Sequence, residues 1–316
     1  MKPTPCAALL RRVASPLARM LSPFALVPSL ALAVPFTFST GDPDGQMATA
    51  SHLAGPPGIE TETADDFVLG SQTQLNHATF TGLLTGGASA SDIGQVAIRI
   101  YRVFPDDSDI GRTSGAPTYS TSQVPTRVNS PADVAFDSRD SALGTLTFST
   151  MLLSAGFTAA NSVISGIHSL PNQATGGEGP QTGSEVMFDV SFGTPFDLAA
   201  DHYFFVPLVG LTKGDFLWLS APRPIVPPGT PFTPDLQSWI RDANLDPDWL
   251  RIGTDIVGGQ PAPTFNAAFS LAGEAGAGAS VPEPDSRMLL AIGGMALLAA
   301  GRRRMGLNRL AVRAEP

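Results

Sequence analysis

Carboxylates are the side chains of this chain best placed to do chemistry. They recur in pairs at Asp65-Asp66, at Asp106-Asp107, and at Asp246 with Asp248, and glycoside hydrolysis needs two carboxylates facing each other across a cleft. Adjacent residues of an extended strand point to opposite faces, so Asp65 and Asp66 cannot act together if their stretch is a strand. The plainer use of such aspartates is to cap turns through nearby backbone amides. Calcium suits the remaining clusters better, because it gathers oxygens from side chains and loop carbonyls. Asp42-Pro43-Asp44-Gly45 and Asp106-Asp107-Ser108-Asp109 each concentrate such oxygens in an expected turn. Calcium is therefore the cofactor to look for, with Asp42, Asp44, Asp106, Asp107 and Asp109 as candidate ligands, although neither segment completes a twelve-residue loop with a terminal Glu.

Other reaction chemistries find less to work with. His52, His77, His168 and His202 are far apart and none has a second His at helical spacing, so a zinc site of the His-Glu-x-x-His kind is not encoded. Neither a Gly-x-Ser-x-Gly elbow nor a Gly-rich loop ending in Lys-Ser or Lys-Thr occurs. Trp218, Trp239 and Trp249 are the only tryptophans and lie close together in sequence. Exposed, they would stack on sugar rings; buried, they would complete a core.

The elements that must position these residues are short strands. Val186, Phe188, Val190 and Phe192 alternate with Glu185, Met187, Asp189 and Ser191, the period-two pattern of a half-buried strand. Val96, Ile98 and Ile100 repeat it, as do Phe265, Ala267, Phe269 and Leu271. Further strands are expected at 66–69, 78–84, 145–152, 162–167, 203–208 and 216–219, with one short helix at 236–242 and a Pro-rich loop at 221–234. Residues 34–273 thus form one all-β domain, a single β-sandwich of jelly-roll-like form.

Both ends of the chain differ from this body. Residues 1–33 carry Lys2, Arg11, Arg12 and Arg19, no acidic group, and the start of an apolar run from Met20 to Val34, the pattern of a secretory signal peptide cut after Ala31-Leu32-Ala33. Arg11-Arg12 alone does not specify twin-arginine export, so ordinary secretion is expected. The only cysteine, Cys6, leaves with this leader, which removes disulfides and thiolate chemistry from the mature chain. Residues 34–284 then hold 9 basic and 26 acidic groups, a formal net charge of −17. Such a surface repels nucleic acid and attracts cations.

At the other end a Gly/Ala linker (274–280) precedes Val281-Pro282-Glu283-Pro284, an uncharged run from Met288 to Gly301, the cluster Arg302-Arg303-Arg304 and a cytoplasmic tail at 305–316. The linker lacks side chains to bury and the prolines hold an extended stretch. As a helix the apolar run spans roughly 21 Å, short of the roughly 30 Å hydrocarbon core, and the arginines stop it on the cytoplasmic side. The run is an expected transmembrane helix, but a poor permanent anchor.

This order resembles the PEP-CTERM sorting signal of exported bacterial proteins. The resemblance implies that Pro282, Glu283 and Pro284 are read by the membrane peptidase exosortase, with 288–301 as membrane segment and Arg302 to Arg304 as stop. Asp285-Ser286-Arg287 and the residues after Arg304 depart from that pattern. The stretches 64–69, 100–105 and 216–220 are similar to the bodies of other PEP-CTERM proteins. The resemblance implies an exported, non-enzymatic surface or matrix protein, met by signal peptidase and exosortase, held briefly in the inner membrane, and associated with exopolysaccharide and biofilm. A calcium-assisted carbohydrate-binding module is the alternative, and a secreted hydrolase the third reading.

Overall fold

A computed structural model of the chain describes residues 34–55, 58–112, 119–121, 123–167, 174–222 and 236–276. The expected leader, most of the Pro-rich loop, His168 and the whole of the expected sorting signal lie outside the described residues.

The protein is all-β, with fifteen strands among the described residues: β1 (Val34–Ser39), β2 (Met47–Ala50), β3 (Thr61–Val68), β4 (Thr73–Leu84), β5 (Ile93–Arg102), β6 (Asp137–Asp140), β7 (Leu146–Ala159), β8 (Asn161–Val163), β9 (Gln181–Leu198), β10 (His202–Leu211), β11 (Phe216–Ala221), β12 (Trp239–Asp242), β13 (Leu250–Arg251), β14 (Asn266–Ala267) and β15 (Phe269–Ala275). They form two sheets. A nine-stranded sheet runs β1-β15-β4-β11-β2-β8, with β9 also on β4, β7 on β9 and β14 on β11; a six-stranded sheet runs β13-β12-β3-β10-β5-β6. All pairs are antiparallel except β2 with β8.

Alternation explains how the sheets meet. Val186, Phe188, Val190 and Phe192 of β9 turn inward with Phe80 of β4 and Phe269 of β15, and meet Phe67, Val96, Ile98, Ile100 and Phe205 from the six-stranded sheet. Phe80 and Phe188 stack at 4.5 Å, Phe205 and Phe269 at 5.0 Å. Aromatic contact in such offset geometry adds to the burial that drives the two layers together. The opposite face of the six-stranded sheet is also covered: Ala64, Ala97, Phe204, Val206 and Leu208 pack there against Trp239 and Trp249. Both faces of β10 are consequently buried.

Most expected strands stand within longer ones, and β15 runs to Ala275, into the expected linker. One expectation is corrected: residues 236–242 do not form a helix. Trp239–Asp242 is β12, paired with β3 from Trp239↔Ala64 to Asp242↔Thr61. Long-range strand pairing overrides the local preference there. The described helical turns are the short segments Ala90–Asp92, Ile110–Arg112 and Ile252–Val257.

Candidate functional site

The expected carboxylate clusters do not converge on a metal. Asp44 closes a turn, its Oδ1 accepting from the Gln46 amide at 2.9 Å and from Ser220 Oγ at 2.5 Å. Asp42 lies beside Glu185, whose carboxyl is pushed above its ordinary range by burial and by that neighbouring charge. Asp107 adopts φ 52, a left-handed conformation that Asp tolerates better than most residues, and both its oxygens are taken by Arg102 at 2.7 and 2.8 Å. Asp106 stands 3.9 Å from the same guanidinium. Asp109 Oδ1 accepts from the Gly111 amide at 2.9 Å. Among the described residues no three His, Cys, Asp or Glu side chains are grouped to hold a metal ion. The calcium candidates Asp42, Asp44, Asp106, Asp107 and Asp109 are thus not brought together: Asp44 and Asp109 close turns, and Asp106 and Asp107 face Arg102.

The sugar-stacking expectation is corrected as well. Trp218, Trp239 and Trp249 are at most 2% exposed and offer no ring face to solvent. Trp218 donates to the Ala268 carbonyl at 3.0 Å and Trp249 to the Ala132 carbonyl at 3.1 Å. Asp65 and Asp66 find separate partners, as strand alternation requires. Asp65 binds Ser238 Oγ and the Ala267 amide, both at 2.9 Å, whereas Asp66 binds His202 Nε2 at 2.6 Å and the Leu236 amide at 3.1 Å. His77 Nε2 meets Asp189 at 3.1 Å.

What the fold does assemble is an ion-pair network on the outer face of the six-stranded sheet. Alternation puts Glu62 of β3, Arg99 and Tyr101 of β5, and Arg241 of β12 on that face. Glu62 Oε1 accepts from Arg99 Nη1 at 2.6 Å and from Tyr101 Oη at 2.8 Å; its Oε2 accepts from Arg241 Nε at 2.5 Å. Arg241 Nη2 in turn donates to Tyr101 Oη at 2.8 Å, and its guanidinium lies 4.3 Å from the Trp249 ring centre. Glu60 holds Arg99 from outside at 2.6 Å, and Asp246 holds Arg241 at 2.7 Å.

Electrostatics follow from this geometry. Burial alone would raise the Glu62 carboxyl, but Arg241, Arg99 and the Tyr101 hydroxyl together hold it below its ordinary value. Tyr101 is pushed up, first by burial and then by the Glu62 charge. Glu62 is thus a fixed anion and Tyr101 a fixed neutral donor. A second network adjoins: Asp133 accepts from Arg127 and, at 3.1 Å, from Arg112, while Asp248 accepts from Ser120 and stands 3.5 Å from Arg112. Burial outweighs the two arginines and raises the Asp248 carboxyl. Asp246 and Asp248 thus belong to different networks.

Over the first network opens a cleft of about 300 Å³, walled by Glu60, Glu62, Arg99, Arg241, Asp242 and Asp246. The inner groups are committed to one another, whereas Asp246 is 55% exposed at its side chain and Glu60 31%. The rim therefore offers carboxylate oxygens to hydroxyl or cationic groups. Sequence reasoning missed these arginines. The available signal was their scarcity: with 26 acids against 9 bases in residues 34–284, each base has many carboxylates to choose from. All seven described arginines do lie within ion-pair distance of one.

Among the described residues no helix is long and apolar enough to cross a membrane, and residues 288–301 lie outside them. No protein-family model, curated protein or solved structure matches the chain.

Proposed function

We propose that the chain is an exported, non-enzymatic surface or matrix protein whose C-terminal PEP-CTERM signal is cleaved by exosortase after transient anchoring in the inner membrane. The observation that supports this reading is the pairing of the first and last described strands. Val34–Ser39 of β1 pairs with Ser270–Ala275 of β15, which lies shortly before Val281-Pro282-Glu283-Pro284, and the expected signal-peptidase site precedes the described residues. The two ends that would carry the processing signals thus leave the body from one sheet edge. The two sheets serve in this reading as a jelly-roll-like platform, a form supported by antiparallel pairing almost throughout. Its association with exopolysaccharide rests on the resemblance.

The test is mass spectrometry of the chain's C-terminus in a host with exosortase. The mature form ends near Pro282 to Pro284, and Glu283→Ala leaves full-length protein in the inner membrane with the body's folding unchanged. A shortened mature form of that variant overturns the reading.

The cleft favours a second reading, a module that binds a polyhydroxylated ligand such as a saccharide without calcium. Its rim carboxylates, Glu60 and Asp246, are the groups that would accept from sugar hydroxyls. Binding on a glycan array that persists in chelator and falls with Asp246→Ala supports it; binding that needs calcium counts against it.

A further inference from the structure

Sheet edges expose unpaired backbone groups, and proteins blunt them with short strands, charges or proline. Four edges here follow that rule. β1 carries Pro35, β8 has three residues, β13 has two, and β6 is four residues long with Asp137, Arg139 and Asp140. β7 does not. It has fourteen residues, Leu146–Ala159, with no charged residue and no proline, and among the described residues it pairs with β9 alone. Its side chains are as unguarded as its backbone: Met151 is 51% exposed, Leu152 60% and Leu153 44%. The register with β9 is continuous from Leu146↔Phe192 to Leu152↔Val186, and shifts only beyond Leu152. The regular half of the edge is therefore Leu146–Leu152, roughly 23 Å of extended chain.

We propose that β7 is a dimerisation edge, and that its Leu146–Leu152 half pairs antiparallel with the same segment of a second copy of this chain. Three observations select a second copy over another partner. An antiparallel strand is complementary to itself about a two-fold axis, so a single operation pairs both free edges. The body carries a net charge of −17, so two copies repel over most of their surfaces, and β7 is a long, exposed edge strand that carries none of that charge. A cationic partner, in contrast, would be drawn to the acidic surface and gain nothing from an uncharged strand. Pairing of that segment with itself sets Leu146 opposite Leu152, Thr147 opposite Met151 and Ser149 at the two-fold axis, and joins two nine-stranded sheets into one.

The test uses the full-length chain in mild detergent, where the protomer mass is 32.8 kDa. Sedimentation equilibrium is expected to give a dimer for the natural sequence and a monomer for Leu152→Lys and Thr150→Lys, with unchanged circular dichroism. Because residues 34–276 contain no cysteine, single substitutions Thr147→Cys, Ser149→Cys and Met151→Cys in a Cys6→Ser background give an independent readout. Oxidative cross-linking is expected to peak at the position nearest the two-fold axis and fall away on either side. A monomeric natural chain overturns the proposal, as does a dimer unaffected by either lysine or cross-linking without a maximum in the strand.

Discussion

Val34, the first residue of β1, is the antiparallel partner of Ala275, the last residue of β15. The nine-stranded sheet is bounded at this edge by the first of the described strands on the last, and the pairing runs without a shift to Ser39↔Ser270. Phe38 is the residue that fastens it. It is 6% exposed, 5.3 Å from the Phe269 ring and 6.3 Å from Phe67 in the other sheet. Phe38→Ala is expected to lower unfolding free energy by about 3 kcal/mol, read as an earlier denaturant midpoint. Truncation of the chain through Ser39 should be at least as damaging, because it removes the whole strand.

Trp239 and Trp249 are equally buried but not equally bonded. Trp249 donates to the Ala132 carbonyl at 3.1 Å and lies under Arg241, whereas Trp239 Nε1 is buried without a hydrogen-bond partner. Replacing Trp249 by Phe strands a carbonyl acceptor; replacing Trp239 by Phe removes an unsatisfied donor. Trp249→Phe should therefore destabilise more than Trp239→Phe by about 1 kcal/mol. Equal midpoints for the two variants in urea would contradict that assignment.

The features that could be read from sequence are those that local pattern determines. Val186 to Phe192 alternates because one face of β9 is core, and that pattern needs no knowledge of the partner strand. β1 was hidden because Val34–Ser39 continues the apolar leader, and β2 because Met47-Ala48-Thr49-Ala50 is short and composed mostly of small residues. β12 exists through its pairing with β3 and β13, so nothing within 236–242 announces it. The same limit governs the site. Glu62 meets Arg99 from 37 positions away and Arg241 from 179, so the network depends on topology and not on spacing. Burial decided the tryptophans, and burial is a property of the assembled sheets.

Gly82 shows one place where a strand glycine did carry a message. Glycine inside a strand often marks a close backbone approach, and at Gly82 of β4 a Cβ would lie 2.6 Å from the Leu217 carbonyl oxygen and overlap the Phe216 ring. Phe216 is fully buried against Phe80 and Phe188 and has no room to withdraw. Gly82→Ala is expected to cost about 3 kcal/mol through overpacking, whereas Gly144→Ser, in an exposed turn with no heavy atom near the added Cβ, is opposed only by its φ of 70. Comparing the two midpoints separates steric overlap from backbone strain.

Glu62 is the most deeply buried of the carboxyls held below their ordinary values, Asp92 and Asp107 being the others. Its carboxyl is held below its ordinary value of 4.5 by Arg241, Arg99 and Tyr101 against the cost of burial. A carboxyl whose folded pKa is depressed contributes stability that is fully present above its unfolded value and is lost as pH falls through the folded one. Stability should therefore decline from about pH 4.5 downward. Asp248 acts in the opposite sense, since its folded pKa is raised and its protonation on acidification favours the folded state. Removing the Glu62 charge leaves the buried Arg241 with the more exposed Asp246 as its remaining paired carboxylate, so Glu62→Gln should cost about 3 kcal/mol near neutrality. It should also flatten the acid limb, while Asp248→Asn should leave that limb in place. Urea midpoints measured across the acid range for the natural chain and both variants decide the matter: an acid limb that survives Glu62→Gln places the controlling carboxylate elsewhere.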